Sequence, residues 1–304
     1  MKKSDWSGVL LAAGGAVGFA SKGIFAKFLY ARGMSFETLL ALRSALSLPV
    51  MWAWVLWLRG WDSIRSASRG AVIGASVGGI ACYTIGALLN FYALTMLPAS
   101  VERVILFSYP AMIVIAGMLM GRGSPSLRAV IAIVLTYLGI FLTVGGFDAS
   151  LLRANMSGAI YVLICAATYA FYFLVSERYV GTLGSQQFAL YAMTAAGIAL
   201  IALFSVRIGW TRLRMQYEDW ALMAGLVLFA TVLPMFLAAE GVRRIGAQRA
   251  ALAGTIGPVA TLALASLLLG ERLQSAQLAG SALIVVGILV LELKRSAIVA
   301  ETTA

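Results

Sequence analysis

Apolar residues along this chain gather into runs at about 8–29, 36–58, 70–93, 99–119, 127–146, 157–177, 186–206, 219–240, 247–269 and 276–293, with short polar breaks between them. Each run is long enough for a helix that crosses a bilayer, which needs roughly 20 mostly apolar residues at about 1.5 Å apiece. The pattern predicts an all-α membrane protein of ten transmembrane helices, with almost nothing left over for an extramembrane domain.

The runs also repeat, with landmarks recurring about 150 residues apart. Ser7-Gly8 opens the first copy and Ser157-Gly158 the second, Tyr109-Pro110 matches Gly257-Pro258, and Gly121 and Gly270 close the helices after those prolines. Leu138-Gly139-Ile140 ends one copy as Val286-Gly287-Ile288 ends the other. Five crossings is an odd number, so a second five-helix repeat (149–304) is expected to enter the membrane inverted relative to the first (1–148). Inverted repeats of this kind mark many secondary transporters, because the halves can exchange conformations to open one side or the other.

Composition supports lipid as the solvent. With 62% hydrophobic and 12% charged residues and a mean hydropathy of +0.94, the chain holds more apolar surface than a soluble domain of 304 residues can bury. The net charge of +11 is a topology signal. With the N-terminus in the cytoplasm, Lys2, Lys3, Arg59, Arg65, Arg69, Arg122, Arg128, Arg178, Arg243, Arg244, Arg249, Lys294 and Arg295 fall inside, while only Arg32, Arg153, Arg207, Arg212, Arg214 and Arg272 fall outside. Both termini are therefore expected in the cytoplasm of a bacterial inner-membrane protein, with lipid around it and no nucleic-acid partner. Met-Lys-Lys before the first run resembles a signal peptide, but the run is longer than a typical h-region and nine more follow, so it is expected to stay as the first helix.

Catalytic readings close quickly. There is no histidine, no GxxxxGK[ST] loop, no CxxC spacing around Cys82 or Cys165, and no buried aspartate pair. Neither a metal nor another cofactor is expected, and an enzyme is not.

Small residues and prolines carry the packing information. Gly14/Gly18 and Gly74/Gly78 have the four-residue spacing that lets helix backbones approach closely in lipid. Pro110 and Pro258 occupy matching places and are expected to bend their helices, with Pro49 and Pro234 inside two others. A symmetric pair of such breaks points to a binding region.

Charges inside apolar runs are costly and so are informative. Lys22, Arg43, Glu102 and Arg103 are the deep ones, whereas Lys27 is near enough to the surface to snorkel. Lys22 is expected to contact substrate or a buried ion partner. Glu102 is the acidic side chain able to meet Lys22 or Arg43 in the outer half, and Arg43 and Glu102 are expected to serve the outer gate. Tyr83, Asn90, Tyr109, Tyr169 and Tyr172 complete the expected cavity wall, Tyr169 and Tyr172 being three apart and on one face. Their rings can stack on an apolar solute while the hydroxyls offer hydrogen bonds. Tyr30, Tyr179 and Tyr217 are read as interfacial, and Trp52, Trp54, Trp57 and Trp61 as an aromatic belt.

The second copy ends in Leu268-Leu269-Gly270-Glu271-Arg272-Leu273 after a helix with a central proline, followed by a last helix with Gly280 and Gly287. Together with Ile245-Gly246-Ala247-Gln248-Arg249-Ala250-Ala251-Leu252, this resembles the drug/metabolite transporter superfamily, EamA type, over nearly the whole chain. The first copy has Gly121-Arg122-Gly123-Ser124 at the corresponding place and lacks the glutamate. The resemblance implies ten helices, a cavity between two five-helix halves, and export of small organic solutes. Within the superfamily the chain is most similar to YddG-type exporters of aromatic and other amino acids. The expected function is thus a carrier exporting amino acids or related small metabolites by alternating access. The alternative is a multidrug or cationic drug efflux carrier, for which Glu102 is the obvious acid.

Overall fold

The computed structural model describes residues 6–65, 67–121, 126–210, 215–245, 253–254, 256–272 and 274–302, and among these the regular structure is helical, without strands. The helices are α1 (Trp6–Ala31), α2 (Phe36–Arg65), α3 (Arg69–Met96), α4 (Ala99–Leu119), α5 (Leu127–Val144), α6 (Ala149–Leu183), α7 (Ser185–Arg207), α8 (217–245), α9 (Ile256–Leu269) and α10 (Ser275–Thr302). Seven helices, α1 to α4 and α6 to α8, are long and apolar enough to cross a membrane, and α5, α9 and α10 carry shorter apolar stretches. The start of the ninth expected run, 247–252, lies outside the described residues, as do Lys2, Lys3, Arg122, Arg212, Arg214 and Arg249 of the charge pattern.

Among the described residues five helices are interrupted; α2 kinks at Gly60, whose φ of 70° and ψ of 170° are non-helical. In α1 the regular ladder breaks at Ser21, whose hydroxyl donates to the Gly18 carbonyl at 2.7 Å, and a second segment starts at Lys22. In α4 the chain turns at Phe107 and Ser108 before resuming at Tyr109, with Pro110 in the first turn of the new segment. Proline has no N–H to donate and suits a helix start, so the break sits just before it. In α3 and α8 the ladder widens into π-helical segments, Ile80–Gly86 and Leu228–Val232. These fall at matching places in the sequence repeat. The second lies directly before Pro234, where a widened turn absorbs the missing hydrogen bond.

Helix pairing joins the two halves of the chain. α1 packs along α8, α2 along α7, α3 against α6 and α7, α4 against α6 and α9, and α5 along α10. Exchanging the halves, with α1 taking the place of α6 and so on, leaves the pairs 1–8, 2–7, 3–6, 4–9 and 5–10 unchanged. The cores are accordingly shared: Ile24, Leu39 and Phe91 bury against Leu200, Met223 and Ala265.

Small residues set the closest of these contacts, with the expected four-residue spacing on α3, where Gly74 and Gly78 both face α6 at Tyr179 and Val175, but not on α1. On α1 the tight face runs through Gly8, Ala12, Gly15 and Gly18 against Ile245, Gly241, Ala238 and Pro234 of α8, while Gly14 meets only the Leu237 side chain at the edge of van der Waals contact. The turn offset of about 3.6 residues favours i, i+4, i+7 along one face, so Gly14 falls off it. On α3, Gly79 lies against the α7 backbone at Ala192, and Gly139 of α5 faces Gly280 of α10. Outward-facing side chains are large and apolar, among them Leu10, Ile73, Ile198 and Leu267, as a lipid-exposed surface requires.

Candidate functional site

The breaks in α1 and α4 and the widened turn of α3 lie next to the polar centre of the molecule. Lys22, first residue after the α1 break, is 8% exposed, and Glu102 in α4 is 1% exposed. The Lys22 ammonium donates to Asn90 Oδ1 at 2.7 Å, the Asn90 amide nitrogen donates to Glu102 Oε1, and Lys22 Nζ lies 3.8 Å from that carboxylate oxygen. An ammonium only donates and a carboxylate only accepts, so Asn90, which does both, fits between them in one orientation. Burial of either charge alone is expensive, and the pair with its amide bridge offsets that cost.

Phe91, beside Asn90, presents its ring to two cations, Lys22 at 5.2 Å and Arg43 of α2 at 5.3 Å. Arg43 is 9% exposed, and its buried Nε has no hydrogen-bond partner. Arg103, adjacent to Glu102, stacks its guanidinium 5.0 Å from Phe107 and also carries a buried Nε without a partner. Ser108, at the α4 break and fully buried, has an unpartnered hydroxyl as well.

A ring of aromatics adjoins these groups. Tyr83, from the widened turn of α3, contacts Tyr172 at 5.1 Å and Tyr169 at 6.3 Å, and Tyr109 contacts Tyr169 at 6.1 Å and stacks on Phe173 at 5.2 Å. Tyr83 and Tyr172 are also joined by a side-chain hydrogen bond. The structure therefore brings Lys22, Asn90 and Glu102 into one network and Tyr83, Tyr109, Tyr169 and Tyr172 into one cluster. Pro110 opens the second segment of α4, and Pro258 lies buried near the start of α9.

Several expectations change. Arg43 makes no ion pair with Glu102; the carboxylate is taken by Asn90 and Lys22, while Arg43 turns to Phe91. Tyr30 is turned into the protein, where its hydroxyl donates to the Phe91 carbonyl at 2.9 Å. The tryptophans divide, since Trp52 donates to Thr194 at 3.0 Å and Trp54 stacks on Phe236, whereas Trp57 and Trp61 are exposed. The packing of α2 on α7 and α8 draws the first two inward.

Two contacts at one end of the helices were missed. Glu271 accepts from the Ala99 N–H at 2.7 Å, the Ser100 N–H at 3.2 Å and the Ser100 hydroxyl. It caps α4 from beyond α9, where Pro98 at the cap position has no side-chain acceptor to offer. The sequence marked Glu271 only as part of a motif. Replacing it by alanine is expected to cost about 1–2 kcal/mol through the lost cap, read as a lower thermal midpoint in detergent, with Glu271→Gln retaining part of it. Nearby, Arg32 at the end of α1 pairs with Asp219 and Glu218 at the start of α8. The hydrogen bond to Asp219 holds the Arg32 guanidinium above its usual range. At the opposite end of that helix pair, Arg244 bridges Glu240 at 2.7 Å and the Ser7 hydroxyl at 2.8 Å.

A buried polar network at the junction of interrupted, lipid-exposed helices is a feature of carriers, and the comparison with known proteins agrees. The EamA-like transporter family matches residues 6–145 and again 156–293. The chain belongs to that family. It is similar to an uncharacterized transporter, YcbK, of Bacillus subtilis, with 34% identity over 270 residues covering 88% of this chain and 86% of the relative. It is also similar to an uncharacterized transporter, sll1319, of Synechocystis sp., with 25% identity over 214 residues covering 68% and 63% of the two chains. A solved structure described as "Crystal structure of protein" shares the fold, with a TM-score of 0.65 and 19% identity over 97% of this chain and 99% of the other. This EamA-like protein is thus a multi-pass membrane transporter.

Proposed function

We propose that this EamA-like transporter is a secondary carrier that exports amino acids or related small metabolites across the bacterial inner membrane by alternating access. In this reading all ten helices cross the bilayer, 1–148 and 149–304 are inverted five-helix repeats, and both termini are cytoplasmic. The pairing of helices, unchanged when the halves are exchanged, is what a two-fold axis in the membrane plane produces.

The observation that carries the substrate reading is the Lys22 ammonium, buried at a helix break and bonded to one neutral acceptor, beside a wall of tyrosines. Only one of its three donors is used by Asn90, which leaves donors for a substrate carboxylate. Tyr83, Tyr109, Tyr169 and Tyr172 then flank the side chain, an arrangement that suits the aromatic and other amino acids exported by the YddG-type branch that the sequence resembles. Glu102 holds Asn90 and Lys22 in place. The α4 break before Pro110 gives that helix a place to bend, and Pro258, near the start of α9, serves the same purpose in the other half. Since Glu102 is already engaged by Asn90 and Lys22, no observation favours a cationic drug.

Counterflow in proteoliposomes tests this. With unlabelled amino acid trapped inside and no ion gradient, saturable entry of a labelled one is expected. No accumulation of any amino acid, from protein shown to be folded and inserted, would reject the reading.

A further inference from the structure

Lys22 and Arg43 face the same Phe91 ring at 5.2 and 5.3 Å, and Arg103 follows Glu102, the carboxylate paired with Lys22. Glu102 is held by Asn90 with Lys22 beside it, so its charge is matched within that network. Arg43 and Arg103 each keep a buried guanidinium Nε with no hydrogen-bond partner, and the buried Ser108 hydroxyl between Phe107 and Tyr109 has none either. Aromatic faces soften but do not replace a counter-ion: Arg43 has Phe91 and Arg103 has Phe107.

A guanidinium nitrogen buried without an acceptor is costly in a membrane interior. Arg43 of α2 and the half-buried Arg103 of α4 each hold one, and with the unpartnered Ser108 hydroxyl at the break of α4 they describe a site built for negative charge that arrives from outside the protein. Guanidinium forks match carboxylate geometry better than an ammonium does. Arg103 also reaches the other half of the chain. Its Nη2 lies so near Gly257 that a Cβ there would sit 3.7 Å from it, next to Pro258. A ligand on Arg103 therefore touches the junction of α4 and α9, where both prolines lie.

We propose that the carrier selects small organic solutes bearing two acidic groups, one received by Lys22 and the second by Arg43, Arg103 and the Ser108 hydroxyl. This rests on the transporter reading above and narrows its substrate class from amino acids and related small metabolites to acidic amino acids and other dicarboxylates. Two acidic groups match the two cations that Glu102 leaves uncompensated.

Glutamate and glutamine have nearly the same shape and differ by one charge, so they separate the effect of charge from fit. Competition against labelled glutamate in the counterflow assay, with glutamate, glutamine, glutarate and phenylalanine as competitors, reads the preference directly. Glutamate and glutarate are expected to compete at least about tenfold better than glutamine, equivalent to a difference of about 1.4 kcal/mol. Arg103→Gln, at the partly exposed guanidinium, is expected to erase most of that preference while labelled glutamine still enters. Ligand-induced thermal stabilisation of the purified protein should follow the same order.

Equal competition by glutamate and glutamine, or a preference for phenylalanine, would overturn the proposal and leave the carrier reading intact. An unchanged preference in Arg103→Gln and Arg43→Gln, both folded, would also overturn it. Absence of flux for every solute would remove the carrier reading itself, and this inference with it.

Discussion

Lys22→Ala is expected to lose essentially all transport and a large share of stability, and much of the stability should return in the double variant Lys22→Ala/Glu102→Gln. The reason is electrostatic. Lys22 and Glu102 are both almost completely buried, and Asn90 fits between them only while one side donates and the other accepts. Removing the ammonium leaves a buried carboxylate without the cation paired with it, a change of the kind that costs about 3–5 kcal/mol. Neutralising Glu102 as well removes the stranded charge. The double variant should therefore be more stable than the sum of the single losses by about 0.5–3 kcal/mol, the usual coupling range for contacting residues. Thermal unfolding in detergent measures the cycle. Transport should not recover in the double variant, because the cation that meets the substrate is still gone. Additive stability losses would mean that the pair is not coupled.

Gly79→Val is expected to prevent recovery of folded protein. A Cβ on Gly79 would lie 2.0 Å from the carbonyl oxygen of Ala192 and 2.5 Å from its Cα and carbonyl carbon, all of them backbone. A side-chain clash can relax by rotation, but here two helices must separate, and α3 and α7 share a long contact along which Phe188 and Cys82 are also buried. Overpacking in a core commonly costs about 1–3 kcal/mol, and contact with rigid backbone puts this case beyond that range. Gly79→Ala meets the same atoms and should fail in the same way. Gly181→Ala is the control: no atom lies within 4 Å of a Cβ there, so yield and size-exclusion profile should be unchanged. A monodisperse, thermally stable Gly79→Val protein would mean that α3 and α7 are not packed this closely.

Much of the outline was legible because lipid imposes simple rules on sequence. Runs of about twenty apolar residues specify helices, since a backbone in hydrocarbon must satisfy its own hydrogen bonds. The same economy exposes the site: in a run such as 8–29, a lysine at position 22 has no reason to be present unless something compensates it. Lys22, Arg43, Glu102, Asn90 and the tyrosines could be singled out on that ground alone. Pro110 marked where α4 is interrupted, although the structure puts the break just ahead of the proline.

What could not be read was which side of each helix faces which neighbour. In a soluble protein the polar face of a helix identifies its buried face by contrast. In α1, α3 and α8 the lipid-facing residues are as apolar as the packed ones, so that contrast is missing. The chain by itself therefore determined that this is a helical membrane protein written in two copies, with a few buried charges as its chemical centre. Only the tertiary structure decided that Glu102 belongs to Asn90 and Lys22 and not to Arg43, that Glu271 caps a helix 172 residues away, and that Gly15, not Gly14, meets α8. Those outcomes depend on the rotation and register of whole helices. Small-residue contacts between distant segments set both, and no local pattern in the sequence encodes them.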